Sequence, residues 1–250
     1  MSLTLDGSLA VVTIARPPEN ALDTERLEAL EEKLREVSRQ RQVKVVALSS
    51  HGRDFCTGLE MGEQRPGRVD PLIRAFHSMV RFLLALEVPT VALIQGRALG
   101  AGAEVALACD FVFAETTATI GFPEIRLGVF PPVASVLLER RVGRAKAADL
   151  IFCGAAMTAE AGERKGLVNA LVNPGDLVNA LETIHQRLEP FSASTLRLAK
   201  RGMLLGGTGD VLSALLAVER SYLGDLMKTE DAREGVSAYL EGRGPVWRNR

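Results

Sequence analysis

Two carboxylates and one run of minimal side chains are the residues best suited to chemistry in this sequence. Gly100-Ala101-Gly102-Ala103 follows a strand-like run and opens a helical pattern. Small residues let backbone N–H groups approach a ligand closely. The first N–H groups of a helix have no partner within it, and the dipole there favours negative charge. The segment therefore suits a developing oxyanion. Tight helix packing selects the same residues, and on this segment alone the two readings stand level. A dinucleotide site is the weaker reading, because Val105 stands where G-x-G-x-x-G has its third glycine. Glu104 shifts the balance toward chemistry. It lies among Ala101, Ala103, Val105, Ala106, Leu107 and Ala108, where an ionised carboxylate is costly unless it is paired or used. Glu124 follows the turn Gly121-Phe122-Pro123, and a lone glutamate at a turn is ordinarily solvated. Spacing does not bring the two glutamates together. If they flank one water, one can accept its proton while the other delivers a proton to carbon.

The elements that must position these groups read as α/β. Leu9–Ala15 is a β-branched strand stopped by Pro17-Pro18, and Asp23 can cap a helix with Leu27, Leu30, Leu34 and Val37 on one stripe. Val43–Ser49, Thr90–Ile94 and Asp110–Ala114 read as further strands, with a small-residue helix after Gly96 and a helix-like stretch beyond Glu124. Strands followed by helices predict a buried, mostly parallel sheet. From about Pro190 to Leu240 the pattern is helical, with breaks near Gly206-Gly207 and at Thr229-Glu230-Asp231. The expected division is an α/β core over 1–190 and a helical subdomain over 191–250.

The 250 residues suffice for one sizeable core. With 30 Lys+Arg against 31 Asp+Glu, the balance argues against a nucleic acid or an anionic membrane as partner. The N-terminus has no signal-peptide pattern, and Ala98 to Phe113 is interrupted by Glu104 and Asp110, so a cytoplasmic protein that spans no membrane is expected. Cys56, Cys109 and Cys153 form no CxxC pair and read as reduced, partly buried thiols. His51, His77 and His185 have no metal-like partners, and no metal site is expected. His77 lies on a stripe with Phe76, Met79, Val80 and Leu83 that reads as core or pocket lining. Asp210, Glu219 and Asp225 read as solvated helix faces. No G-x-S-x-G is present, which argues against a serine hydrolase.

Five segments in order resemble the enoyl-CoA hydratase/isomerase (crotonase) family: Arg16-Pro17 with Asn20-Ala21-Leu22; Phe55-Cys56-Thr57-Gly58-Leu59-Glu60; Ala98-Leu99-Gly100-Ala101-Gly102-Ala103-Glu104; Pro123-Glu124-Ile125-Arg126-Leu127-Gly128; and Thr229 to Gly235. The resemblance implies a crotonase-like spiral of β-β-α turns with a helical C-terminal subdomain. It also implies a homotrimer or a dimer of trimers. Its shared chemistry is stabilisation of an acyl-CoA thioester enolate by two backbone N–H groups, which fall by position on Leu59 and Ala101. Glu104 and Glu124 match the family's two hydratase carboxylates, Glu104 as base toward water and Glu124 as acid toward the α-carbon. Ala21, Thr57, Gly58, Met61, Gly100, Pro132 and Trp247 are the matching substrate- and CoA-binding positions. No cofactor is implied, because coenzyme A is part of the substrate. Pro132 departs from the family's glycine-rich turn and supplies no N–H. The stretch GVFPPVASVLL is similar to the branch that hydrates cyclic dienoyl-CoA thioesters. No lysine follows the Leu59 loop, so the CoA phosphates are expected at Arg16, Arg65 or Trp247-Arg248. The alternatives are an isomerase using the same enolate, and a non-catalytic or RNA-binding member of the fold.

Overall fold

A computed structural model describes residues 1–207, 211–224 and 226–246. The chain begins with strands β1 (Ser2–Asp6) and β2 (Leu9–Ile14), joined at Gly7, whose φ of 56° makes the tight reversal. Helix α1 (Thr24–Ser38) follows, capped by Asp23, whose side chain accepts from the N–H of Arg26. Then come β3 (Val45–Ser50), α2 (Val69–Ala85), β4 (Thr90–Ile94), β5 (Arg97–Leu99) and α3 (Ala101–Leu107). The middle of the chain holds β6 (Phe111–Glu115), β7 (Thr119–Gly121), α4 (Ala134–Val142) and α5 (Arg144–Cys153). It continues with β8 (Ala156–Thr158), α6 (Ala159–Lys165), β9 (Ala170–Val172) and α7 (Leu177–Leu188). Helices α8 (Ala193–Gly207), α9 (Val211–Gly224) and α10 (Glu230–Leu240) complete it.

Six strands form one sheet in the order β1-β2-β3-β4-β6-β9, antiparallel only at β1/β2. Alternate residues serve two cores. Val12, Val46, Leu48, Ala92 and Ile94 pack toward α1, α2 and α3. Val45, Ala47, Val91, Leu93 and Phe113 pack toward Leu181 and Ile184 of α7. Burial on both faces explains why these strands read as unbroken apolar runs. The smaller sheet, β5-β7-β8, holds the segments that lead into α3 and out toward Glu124.

The expected strands over 9–15, 43–49, 90–94 and 110–114 match β2, β3, β4 and β6 to within two residues at either end. The helix-like stretch beyond Glu124 is divided. Residues Pro123–Leu127 form one 3₁₀ turn that ends at Gly128, with φ 73°, and α4 starts only at Ala134. Pro131 and Pro132 in between have no N–H to continue a helix. Glu219 corrects an expectation: it is buried, not solvated. On α9 it faces α2, with Oε2 3.3 Å from Nδ1 of His77 and 3.5 Å from Arg81, and Oε1 3.6 Å from Arg74. A carboxylate persists there because two guanidinium groups oppose it. Asp210 and Asp225 lie outside the described residues. Cys56 and Cys109 are buried free thiols and Cys153 is exposed. Among the described residues no helix is long and apolar enough to cross a membrane.

Candidate active site

The loop from Cys56 to Glu60 is stitched on both sides. Cys56 donates to the carbonyl of Arg97 (3.1 Å) and accepts from Leu99 (2.9 Å), along β5. Thr57 donates to Glu19 (3.0 Å) on the other side, Gly58 accepts from Leu22 (2.9 Å), and Glu60 donates to Leu22 (2.8 Å). Leu59 is thus bridged to Leu22 through its neighbours, which leaves its own N–H directed away from that partner. The segment carrying Ala21 and Leu22 is itself held by Asn20, which has φ 55°, a value asparagine tolerates better than most residues. Its side chain accepts from the N–H of Arg16 (2.7 Å) and donates to the carbonyls of His51 (2.7 Å) and Asp54 (2.6 Å).

Glycines let this loop meet the start of α3. A Cβ on Gly102 would lie 2.1 Å from the carbonyl oxygen of Cys56, so only glycine permits the contact. A Cβ on Gly58 would reach 3.5 Å from the carbonyl of Leu99 and 4.0 Å from the nitrogen of Ala101. The Leu59 loop and the first turn of α3 are therefore in direct contact. Among the described residues, neither the N–H of Leu59 nor that of Ala101 donates to a protein acceptor.

Glu104, 1% exposed, lies in the same short helix. Its Oε1 accepts from the N–H groups of Val133 (2.7 Å) and Ala134 (2.8 Å), at the start of α4. These donors lie outside the sequence-expected site. The signal for them was Pro131-Pro132 ahead of an apolar helical run, a place where helix N–H groups are free. Glu124 comes from the 3₁₀ turn, and its Oε1 would stand 2.7 Å from a Cβ on Gly100. Its Oε2 is buried and has no hydrogen-bond partner among the described residues. Gly100, Glu104 and Glu124 thus meet, across a sequence separation that gave no hint of it.

Burial raises the Glu104 carboxyl well above the usual range, and the nearby Glu124 charge adds to this, while the two N–H donors oppose it. Burial likewise raises Glu124, to about 7. Two buried carboxyls this close oppose each other's ionisation. The donors at Val133 and Ala134 favour the charged form of Glu104 against its burial.

The consequence for stability has a definite sign. A carboxyl whose pKa rises from 4.5 to about 7 on folding binds its proton more tightly when folded. Its contribution is most favourable below the unfolded value and is lost as pH rises toward the folded one. Glu124→Gln removes that loss. The melting temperature of the variant minus that of the wild type should grow between about pH 5 and about pH 8. A difference independent of pH would contradict a raised Glu124.

The remaining expected positions are distributed as follows. Ala21, Thr57 and Met61 are half-buried around the Leu59 loop, and Gly58 and Pro132 are buried. Trp247 and Arg248 lie outside the described residues. Arg16 is ion-paired with Glu60 and stands 3.8 Å from Asp23, while Nε of Arg65 donates to the carbonyl of Gly62 (2.6 Å). Tyr222 was not anticipated. It packs with Val129, Leu59 and Phe130 beside the Glu124 turn, and a tyrosine in a helical stretch gives no sign of its neighbours.

This fold and this carboxylate pair define the class. Residues 4–250 match the enoyl-CoA hydratase/isomerase family, and the chain belongs to it. It is 37% identical to cyclohexa-1,5-dienecarbonyl-CoA hydratase of Thauera aromatica, over 99% of this chain and 96% of that protein. It is 32% identical to a probable enoyl-CoA hydratase of Mycobacterium bovis, over 98% of this chain and 96% of that one. Its fold is that of an enoyl-CoA hydratase from Mycobacterium avium subsp. paratuberculosis, with TM-score 0.88, 27% identity and coverage of 99% and 98%. The α/β spiral with a helical C-terminal region, expected from the resemblance, is the fold observed.

Proposed function

We propose that this chain adds water across the double bond of an α,β-unsaturated acyl-CoA thioester. The observation that carries the reading is the buried pair Glu104 and Glu124, with Glu104 held by two N–H donors. The thioester carbonyl lies against the N–H groups of Leu59 and Ala101. Water attacks the β-carbon and gives its proton to Glu104. Electrons move through the α-carbon to the carbonyl oxygen, whose developing charge the two N–H groups stabilise by a few kcal/mol each. Glu124 then delivers its proton to the α-carbon. The water is divided into a β-hydroxyl and one proton, and the pair returns to its starting charge when that proton passes between its members. Ala21, Thr57, Gly58, Met61, Gly100 and Pro132 line the thioester's path, and Trp247 belongs with the CoA end. The reaction consumes only water and the thioester, so no further cofactor is called for, and the assembly is a homotrimer or a pair of trimers.

A cyclic dienoyl-CoA is the narrower substrate reading, favoured by the 37% identity to the Thauera aromatica hydratase. Wild-type protein offered crotonyl-CoA and cyclohexa-1,5-dienecarbonyl-CoA in ¹⁸O-labelled water should give labelled hydroxyacyl product. Faster turnover of the ring substrate would support the narrower reading. Unlabelled product with a shifted double bond would make the protein an isomerase and sink the hydratase reading.

A further inference from the structure

Beside the carboxylate pair lies an apolar cluster formed by Val69 and Ile73 of α2, Val129, and Met227 and Ala232 near the end of the chain. Leu59 and Phe130 pack against it, and Tyr222 of α9 belongs to it. Tyr222 is 2% exposed, and its ring meets that of Phe130 edge-on with centroids 5.3 Å apart. Phenylalanine would fill this space without removing a hydroxyl from water, so the hydroxyl needs a reason to be there.

Three observations supply one. Tyr222 clusters with Val129, whose N–H donates to the carbonyl of Glu124 (3.3 Å), and with Phe130, and burial first, then the charges of Glu124 and Glu104, keep the phenol in its neutral O–H form. Oε2 of Glu124 is buried with no hydrogen-bond partner among the described residues. In the turn ahead of α4, the N–H groups of Val133 and Ala134 go to Glu104, and Pro131 and Pro132 have none to give a water.

A water that donates to the Glu104 carboxylate and to the carbonyl oxygen of the Glu124 carboxyl has two lone pairs, of which one attacks carbon. The other accepts a hydrogen bond only if a donor is present. We propose that Tyr222 is that donor: its hydroxyl holds the reacting water between Glu104 and Glu124 and directs the free lone pair at the β-carbon. This rests on the hydratase reading above. α9 is fixed against α2 through Glu219, one turn before Tyr222, facing Arg74 and Arg81, so the phenol is carried on an anchored helix.

Tyr222→Phe and Tyr222→Leu, assayed beside wild type on crotonyl-CoA and cyclohexa-1,5-dienecarbonyl-CoA, test the assignment. The Phe variant keeps the packing and loses the donor. Its kcat should fall roughly 10- to 100-fold on the better substrate, the effect of one hydrogen bond to a reacting group. KM should stay within about twofold, and the melting temperature should not fall. Full kcat in the Phe variant, with the loss confined to the Leu variant, would reduce Tyr222 to a packing residue and overturn the proposal. Wild type that hydrates neither thioester would overturn the hydratase reading, and this inference with it.

Discussion

Glu104→Gln yields a folded protein whose hydration turnover is lower by about 10²- to 10⁴-fold, the range for loss of a positioned base. The amide is close in shape to the carboxylate and keeps an oxygen to accept from Val133 and Ala134, now at 2.7 and 2.8 Å. The start of α4 therefore stays capped. The substitution also removes one of two carboxylates that oppose each other's ionisation, so the melting temperature should hold or rise. KM should change little, because the amide takes part in no binding that the carboxylate does not. Loss of the enoyl-thioester absorbance measures the rate, and thermal unfolding checks the fold. Turnover near the wild-type rate would remove Glu104 from the role of base.

Ala101→Pro should lower kcat/KM by about 10²- to 10³-fold, the effect of losing one oxyanion donor. Ala101 is the first residue of α3, and the first helical position is where proline is best accepted. The residue before it is Gly100, at φ 53° and ψ −126°, free of the Cβ clash that a preceding proline ring imposes on other residues. The ring carbon replaces the N–H hydrogen, so the variant loses the donor and crowds the carbonyl together. Ala101→Ser keeps the N–H at the same place and should stay within several-fold of wild type. Equal activity in the Pro variant and wild type would show that the thioester oxygen lies elsewhere. Equal losses in the Pro and Ser variants would point to crowding of the pocket, with the donor unimportant.

The two experiments address groups that differed in how visible they were. Glu104 stood out because a charged residue within an alanine-rich helix contradicts its surroundings. The glycines around it announced close backbone approach, and Gly102 against the Cys56 carbonyl is that approach. The strands were legible where both faces are buried, since β3, β4 and β6 are continuous apolar runs. β1 was not read as a strand, although Leu3 and Leu5 alternate ahead of Asp6-Gly7; four of its five residues are exposed, and its apolar signal is weak. The short strands β5, β7, β8 and β9 have three residues each, too few for a period to show.

Glu219 was misread because a single carboxylate on an amphipathic helix is usually solvated, and only the packing of α9 on α2 sets it opposite Arg74 and Arg81. Tyr222, three residues later, was overlooked for the same reason. The sequence by itself determined the local chemistry: which turns need glycine or proline, where helices start, which residues form the strands, and that one carboxylate stands in an apolar helix. Tertiary structure decided which of these groups act together. Glu124 is brought to Gly100 by the β5-β7 pairing and the 3₁₀ turn, and the donors of Val133 and Ala134 reach Glu104 only because α4 packs on α3. Periodicity describes one element at a time, whereas a shared proton depends on distances between elements, and those are set by the packing of the whole core.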